Sequence, residues 1–339
     1  MVYDLIVIGA GPAGSTTAKT VAKAGYRVII LEKNEMCRSP CAGYVSNTIN
    51  FEIPDGSVIQ SKIWKMRTYF PDLSFCDFEC NGFVVDRSKF DTALVLEAAN
   101  SGAEVRMNSP FIGFVPGGVK FRGGEVQGKI ILGADGVFSK TAFVLGGKRQ
   151  EIGVCAQYHM RNIKPLPNTC EIFFDMDYAP GGYVWVYPTG ADSAKIGVGI
   201  TGRSPRAYLD RFIRDFERFN GGRTEYITGA LPIGGLRIQL CYGNVLFAGD
   251  SAGMADPITG AGINNAILAG NIAGETIIRA LESDDMTTLS EYTIKIKRLL
   301  GRSLGRSLEK RKTFDACCTN ELLQRHLPEL WVTFNQYWE

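Results

Sequence analysis

Gly9, Gly11 and Gly14 stand in the spacing G-x-G-x-x-G, and a carboxylate, Glu32, follows at the end of the next apolar run. Glycines so spaced leave a turn with no side chain over its backbone. Gly9 permits the tight turn, Gly11 lets the main chain approach a pyrophosphate, and Gly14 lets the following helix pack on the strand. Pro12 and Ala13 open that helix, whose N-terminal N–H groups and positive dipole end attract phosphate. Glu32, with Lys33 beside it, is placed to accept hydrogen bonds from a ribose. The chemistry is the binding of a dinucleotide. A glycine turn alone is a weak signal, so the elements around it decide. LIVI at 5–8 reads as a buried strand, Ala13 to Ala24 as an amphipathic helix, and Val28 to Leu31 as a second buried strand. The turn therefore sits inside a β-α-β unit.

The chain of 339 residues has room for two domains or one large one with an insertion. Its 45% apolar and 21% charged content is that of a soluble globular protein, and a net charge of +2 with no basic run gives no case for nucleic acid. Apolar stretches are strand-length, too short to cross a membrane. Met1 leads almost directly into the first strand, which leaves no room for a signal peptide. The expectation is a cytoplasmic protein, with peripheral contact at a membrane left open. Nine cysteines invite a metal reading. The pairs Cys37/Cys41 and Cys76/Cys80 have poor zinc spacing, however, and only two histidines exist, so no metal is expected. A Cys37–Cys41 or Cys41–Cys80 disulfide stays open.

Beyond the first unit, residues 36–50 read as a loop and short helix. Residues 57–85 read as antiparallel strands, and a helix capped by Asp86 reads to about Asn100. A β-meander follows over 111–132, then strands over 152–200, an amphipathic helix from Ser204 to Phe219 and a strand near Glu225. A buried strand at 244–248 precedes a long helix that starts near Gly260–Gly262. Residues 286–320 read as helical and basic. The C-terminal aromatics Trp331, Phe334, Tyr337 and Trp338 either dock on the body or face a membrane.

Three further motifs follow the glycine turn. Arg87, at a helix start, can reach a phosphate or ribityl hydroxyl. Ala134-Asp135-Gly136 follows the strand KIILG. FAGDSAGMADPITGAGI, residues 247–263, places Gly249 and the Asp250 carboxylate before Pro257, Gly260, Gly262 and Ile263 at a helix N-terminus. That helix end would favour negative charge on a reduced flavin. The four motifs in this order resemble the FAD-dependent hydroxylase-like superfamily over most of residues 1–285, and the resemblance implies FAD as cofactor.

Residues 180–188, PGGYVWVYP, narrow the choice. They resemble the PxxYxWxFP signature of the geranylgeranyl reductase family, with Tyr187 where that family has Phe. Tyr183, Trp185 and Tyr187 alternate on one strand and so share a face. The residues alone are compatible with an ordinary core; the resemblance implies a wall for a prenyl chain. The same family has a cysteine in a Cys-Gly-Gly-like turn, which here reads Cys41-Ala42-Gly43. This implies that Cys41 lies near the flavin, with Cys41 and Tyr183 as candidate proton donors. The chain is short for that family at its C-terminal end, and no separate NAD(P)H-binding domain is expected.

The expected fold is α/β, a Rossmann-like FAD-binding domain (residues 1–56, 83–150 and 241–285) interrupted by a sheet-rich substrate domain (57–82 and 151–240), with a C-terminal helical segment (286–339). The implied activity is reduction of C=C bonds in geranylgeranyl chains on lipids, prenyl diphosphates or related precursors, by hydride from reduced flavin plus a proton. The partners would be an isoprenoid lipid or prenyl diphosphate and an electron donor such as NADPH, ferredoxin or another reduced carrier. An FAD-dependent monooxygenase or halogenase is the alternative.

Overall fold

The computed structural model describes residues 1–36, 39–47, 53, 55–202 and 204–339. The chain begins β1 (Val2–Ile8), α1 (Pro12–Lys23), β2 (Val28–Leu31), β3 (Tyr44–Ser46), β4 (Ile59–Tyr69), β5 (Phe75–Val85) and α2 (Arg87–Asn100). It continues β6 (Glu104–Arg106), β7 (Phe111–Val115), β8 (Gly118–Phe121), β9 (Gly124–Gly133), α3 (Lys140–Val144), β10 (Ile152–Arg161), β11 (Thr169–Phe173), β12 (Tyr183–Pro188) and β13 (Ser193–Ile200). It closes with α4 (Pro205–Asp215), β14 (Gly222–Pro232), β15 (Cys241–Tyr242), β16 (Val245–Phe247), α5 (Ile263–Glu282), α6 (Glu291–Ala316) and α7 (Asn320–Leu330).

The first sheet has the order β15-β16-β9-β1-β2-β6, and the β7–β8 hairpin joins it on β9. Its central pairs, β1 with β2 and β9, and β9 with β16, are parallel. Parallel strands are covered on both faces, which is why Leu5–Ile8 of β1 and Val28–Leu31 of β2 are unbroken apolar runs with every residue buried. α5 reaches α1 through its small residues: a Cβ on Gly270 would lie 2.7 Å from the Ala13 carbonyl oxygen, and one on Gly274 2.6 Å from Thr20 Cβ. α6 adds Ile296, Leu300 and Leu304 to the same core, and its Tyr292 hydroxyl donates to the Phe247 carbonyl at 2.9 Å.

The second sheet has the order β14-β10-β13-β12-β11-β4-β5-β3. One face carries Val184, Val186, Ile196 and Val198 and is covered by Leu209, Phe212 and Ile213 of α4. The opposite face carries Tyr183, Trp185 and Tyr187, and Phe314 of α6 with Leu323, Leu327, Leu330 and Trp331 packs against it. The architecture is the expected mixed α/β fold with a C-terminal helical segment. None of the described helices is long and apolar enough to cross a membrane.

Local differences from the sequence reading have physical causes. Where a short helix was expected after residue 36, the described residues form strand β3. Gly43 has φ +89°, which breaks any helix, and Tyr44 to Ser46 then pair with Gly82 to Val84. Gly82 is needed there, because a Cβ would lie 2.7 Å from the Tyr44 ring. The helix expected over 204–219 stops at Asp215, and a separate turn covers Glu217–Phe219. Cys41, Cys76 and Cys80 are free thiols, so the Cys41–Cys80 disulfide does not form; Cys37 lies outside the described residues. Trp331 and Tyr337 are docked and buried, while Trp338 is exposed.

Candidate active site

The glycine turn is shaped by close backbone contact. Gly9 has φ +103°, and a Cβ there would lie 2.3 Å from the Ala134 carbonyl oxygen. At Gly14 a Cβ would lie 2.0 Å from the Gly9 carbonyl oxygen, whereas at Gly11 it would meet nothing within 4 Å. The turn is thus pressed against the protein at its two ends and open in the middle. α1 starts at Pro12 and Ala13 behind Gly11 with no side-chain cap, and α5 starts at Ile263 behind Gly262 with none either. α2, α3 and α7 are capped by Asp86, Ser139 and Thr319, while α4 and α6, away from the glycine motifs, also start without a side-chain cap. Uncapped N–H groups at the two helices nearest the glycine motifs are available to a ligand.

Glu32 is buried, and its carboxylate accepts from the N–H groups of Ala10 and Asn34, each at 2.9 Å. It braces the glycine turn directly, and each oxygen keeps a further lone pair for a sugar hydroxyl. Lys33 points to solvent. Ala134 ties the second motif to β1 by donating to the Ile8 carbonyl at 2.8 Å. The Asp135 carboxylate is spent inside its own loop, beside Gly136. It accepts from Ser139 Oγ at 2.6 Å, Thr141 N at 2.9 Å and Thr141 Oγ1 at 2.7 Å. Gly249 abuts α1, its potential Cβ lying 3.2 Å from Ala13 Cβ. The next residue, Asp250, is half-buried 3.5 Å from the position of a Gly262 Cβ, and its carboxylate accepts no hydrogen bond among the described residues. Burial holds its carboxyl above the ordinary range, with the Arg87 charge pulling it back. An uncommitted carboxylate between two bare helix N-termini fits a cofactor that carries both hydroxyls and a pyrophosphate. FAD is such a group.

Arg87 is buried and forms a forked ion pair with Asp91, at 3.0–3.2 Å. Although burial works against its charge, Asp91 and then the Cys41 sulfur keep the guanidinium more firmly protonated than usual. Asp91 belongs to the same sequence motif, Asp86-Arg87 with Phe90-Asp91; it stands four residues after Arg87 and therefore on the same helix face.

The Cys41-Ala42-Gly43 turn runs over the site-facing side of the second sheet. The half-buried Cys41 packs against the cluster that holds Phe90 and Ile263. The Gly43 N–H donates to Cys41 Sγ at 3.4 Å. Cross-strand register places Cys155, Gln157 and His159 of β10, then Gly199, Gly197 and Lys195 of β13, then Tyr183, Trp185 and Tyr187 of β12 in three rows on this face. Gly197 lets the Trp185 indole lie flat, since a Cβ would be 2.3 Å from the ring. Lys195 is buried, and its Nζ donates to the carbonyls of Ala42 at 3.0 Å and Val85 at 2.9 Å. Burial pushes this lysine down to about 8, against the pull of Cys41 and Asp86. Burial, and after it Cys41, pushes the Cys155 thiol up to about 12. Neither Lys195 nor Cys155 was singled out in the sequence. The signal for Lys195 is a lone charge inside the apolar strand SAKIGVGI.

The aromatic row is continuous. Ring centroids of Tyr183 and Trp185 are 6.1 Å apart, and those of Trp185 and Tyr187 6.4 Å. Trp331 closes the layer at 5.2 Å from Tyr183 and 5.0 Å from Phe174. The indole N–H groups of Trp185 and Trp331 and Oε1 of Gln157 are buried without a hydrogen-bond partner among the described residues. The Tyr183 hydroxyl donates to the Thr259 carbonyl. This bond ties the row to the loop of Pro257, which is buried, and Gly260, and so to the start of α5. Burial also pushes the Tyr183 phenol well above its ordinary range.

The geranylgeranyl reductase catalytic domain matches residues 151–230, and the pyridine nucleotide-disulphide oxidoreductase family matches residues 3–136. The digeranylgeranylglycerophospholipid reductase of Methanocella arvoryzae is 36% identical to this chain, over 90% of the chain and 85% of that protein. The protein of the same name from Methanosarcina acetivorans is also 36% identical, over 92% of the chain and 85% of that protein. The crystal structure of a geranylgeranyl bacteriochlorophyll reductase-like protein from Thermoplasma acidophilum superposes with a TM-score of 0.90 at 28% identity, over 99% of this chain and 93% of that one. A flavin-dependent brominase shares the fold, at a TM-score of 0.72 and 17% identity over 97% of this chain and 91% of that one. The chain belongs to the geranylgeranyl reductase family of FAD-dependent oxidoreductases.

Proposed function

We propose that this chain, with FAD bound, saturates C=C bonds in the geranylgeranyl chains of a glycerophospholipid. The observation that carries the reading is the aromatic row Tyr183-Trp185-Tyr187. It lies on the same sheet face as the Cys41 turn and is tied through Thr259 to the loop that opens α5. The names of the relatives supply the lipid. When bound, reduced FAD supplies the hydride. Glu32, Gly9, Gly11, Gly14 and the start of α1 hold the dinucleotide end. Asp250 would hold a ribityl hydroxyl, and the N–H groups at Gly262 and Ile263 would favour negative charge on the reduced cofactor. An unactivated alkene accepts hydride poorly, so a proton must be held close and water excluded. Of the two proton donors expected, Cys41 is the better placed, because Tyr183 spends its hydroxyl on Thr259 and burial makes it a weaker acid. Trp331 and α7 exclude water from the row.

We assign residues 1–56, 83–150 and 241–285 to the cofactor unit, 57–82 and 151–240 to the substrate unit, and 286–339 to the helical segment that covers the aromatic row. A lipid substrate places the work at a membrane surface, with peripheral contact.

Glu32→Ala and Asp250→Ala are each expected to weaken FAD binding ten- to hundredfold. Each removes a charge-assisted hydrogen bond of ~1.5–3 kcal/mol. Titration of apoprotein with FAD, followed by flavin fluorescence, measures the change; wild-type affinity in both variants would remove these carboxylates from the cofactor site.

Tyr183→Phe and Trp185→Phe are expected to hold the melting temperature within a few degrees and to change turnover or chain-length preference. Loss of stability with unchanged activity per flavin-loaded molecule would make the row plain core. The substrate class is tested by giving reduced holoenzyme a digeranylgeranyl glycerophospholipid or geranylgeranyl diphosphate without oxygen and weighing the products. Two-hydrogen gains in the phospholipid support the proposal, gains in the diphosphate alone would move the substrate to the free precursor, and product formed only with oxygen would favour monooxygenase or halogenase chemistry.

A further inference from the structure

An ammonium group in the interior of an apolar strand is costly unless its protons are satisfied, and a partner carboxylate is the usual remedy. Lys195 has no ion pair among the described residues. Its two hydrogen bonds go instead to main-chain carbonyls on two segments distant in sequence, Ala42 and Val85. Both belong to the same small junction, because the Val85 N–H donates to the Gly43 carbonyl at 2.9 Å. Gly43 sits hard against this junction: with φ +89°, a Cβ would lie 2.4 Å from the Val85 carbonyl oxygen and 3.3 Å from Lys195 Nζ. Only a residue without a side chain lets the turn close onto the lysine. Arg87, whose guanidinium meets both Asp91 and Cys41, follows Val85 by two residues on the far side of the same junction.

We propose that Lys195 is a positioning residue: from β13 of the substrate sheet it clamps the Cys41-Ala42-Gly43 turn to the end of β5 and thereby fixes Cys41 beside Arg87 and the Phe90–Ile263 cluster. A methionine of similar length would fill the space at lower desolvation cost, so burial alone does not call for a lysine here. Lysine answers the need to hold two carbonyls from two segments at once, which an apolar side chain cannot do. The clamp rests on the proposed function only in its consequence for turnover; its effect on the turn does not.

The test compares holoenzyme with K195M and K195R. Hydrogen exchange read by mass spectrometry reports the amides of residues 41–45 and 85, with peptides from β1 and α5 as controls. A second measurement, single turnover of reduced holoenzyme with digeranylgeranyl glycerophospholipid, separates rate from half-saturation. K195M is expected to speed exchange of the turn amides about tenfold with the controls unchanged, and to slow turnover about tenfold at unchanged half-saturation. K195R, which can still donate to both carbonyls, is expected to restore most of both. Unchanged exchange in a folded K195M overturns the proposal, as does faster exchange throughout the molecule or a released turn with wild-type turnover. If K195M does not fold, K195R is read alone: a protected turn supports the clamp and a released one overturns it. If wild type reduces no lipid, the functional reading fails, while the exchange result still decides the clamp.

Discussion

Gly9→Ala is expected to weaken FAD binding by more than about a hundredfold, corresponding to roughly 3 kcal/mol. The cause is steric and local. The new methyl would stand 2.3 Å from the Ala134 carbonyl oxygen, a backbone atom with no rotamer to move. An alanine at φ +103° is strained as well. Relief requires the turn to move away from Ala134, which pulls on the bond from the Ala134 N–H to the Ile8 carbonyl and disorders the N–H groups before α1. Gly25→Ala is the control. It has φ +89° but open space around the new methyl, so it should cost about 1 kcal/mol of stability and leave FAD affinity intact. Isothermal titration of both apoproteins measures this; a Gly9→Ala protein that binds FAD like wild type would contradict the assigned role of the turn.

Trp331→Ala is expected to lower stability by ~3–5 kcal/mol, the cost of a large aromatic removed from a core. Trp331 is 2% exposed and packs edge-on to Phe174 and Tyr183. Its indole N–H has no partner among the described residues, so the loss is one of packing and not of a hydrogen bond. In a chain of this size the melting temperature should fall by roughly 10 °C. The layer over the aromatic row then opens, and lipid turnover should fall further than the folded fraction does. Trp338→Ala, at an exposed site, should cost about 1 kcal/mol or less. Equal melting temperatures for the two variants would show that the C-terminal segment does not close the row.

The parts of the site legible in the sequence are those whose chemistry is local. The glycine turn, Glu32, Asp250 and the alternation of Tyr183, Trp185 and Tyr187 each follow from spacing along one or two elements. Asp86 caps α2 as its position predicts, by accepting from the N–H groups of Ser88 and Lys89. What the sequence does not disclose depends on segments far apart in the chain. Lys195 of β13 meets Ala42 and Val85 although three strands separate β13 from β5 in the sheet order, a meeting that spacing along the chain does not disclose. Trp331 was open to two readings, docked or membrane-facing, and only its packing on Phe174 and Tyr183 decides between them. Asp135 looks like a cofactor ligand in its motif, yet hydroxyls and an amide four to six residues on take up its carboxylate. Arg87 looks like a free cation at a helix start, yet Asp91 on the next turn binds it. In both cases the motif identifies the place, and neighbours on the same local segment decide what the side chain does there.

The central claim is that electrons pass from bound reduced FAD to a C=C bond of a geranylgeranyl lipid. The most direct measurement is anaerobic. Chemically reduced holoenzyme is mixed with digeranylgeranyl glycerophospholipid in a sealed cell, the flavin absorbance is followed, and the extracted lipid is weighed by mass spectrometry. The account predicts that the oxidised flavin spectrum returns without oxygen and that two hydrogens appear in the lipid for each flavin oxidised. A flavin that stays reduced until oxygen is admitted, with lipid of unchanged mass, would contradict it.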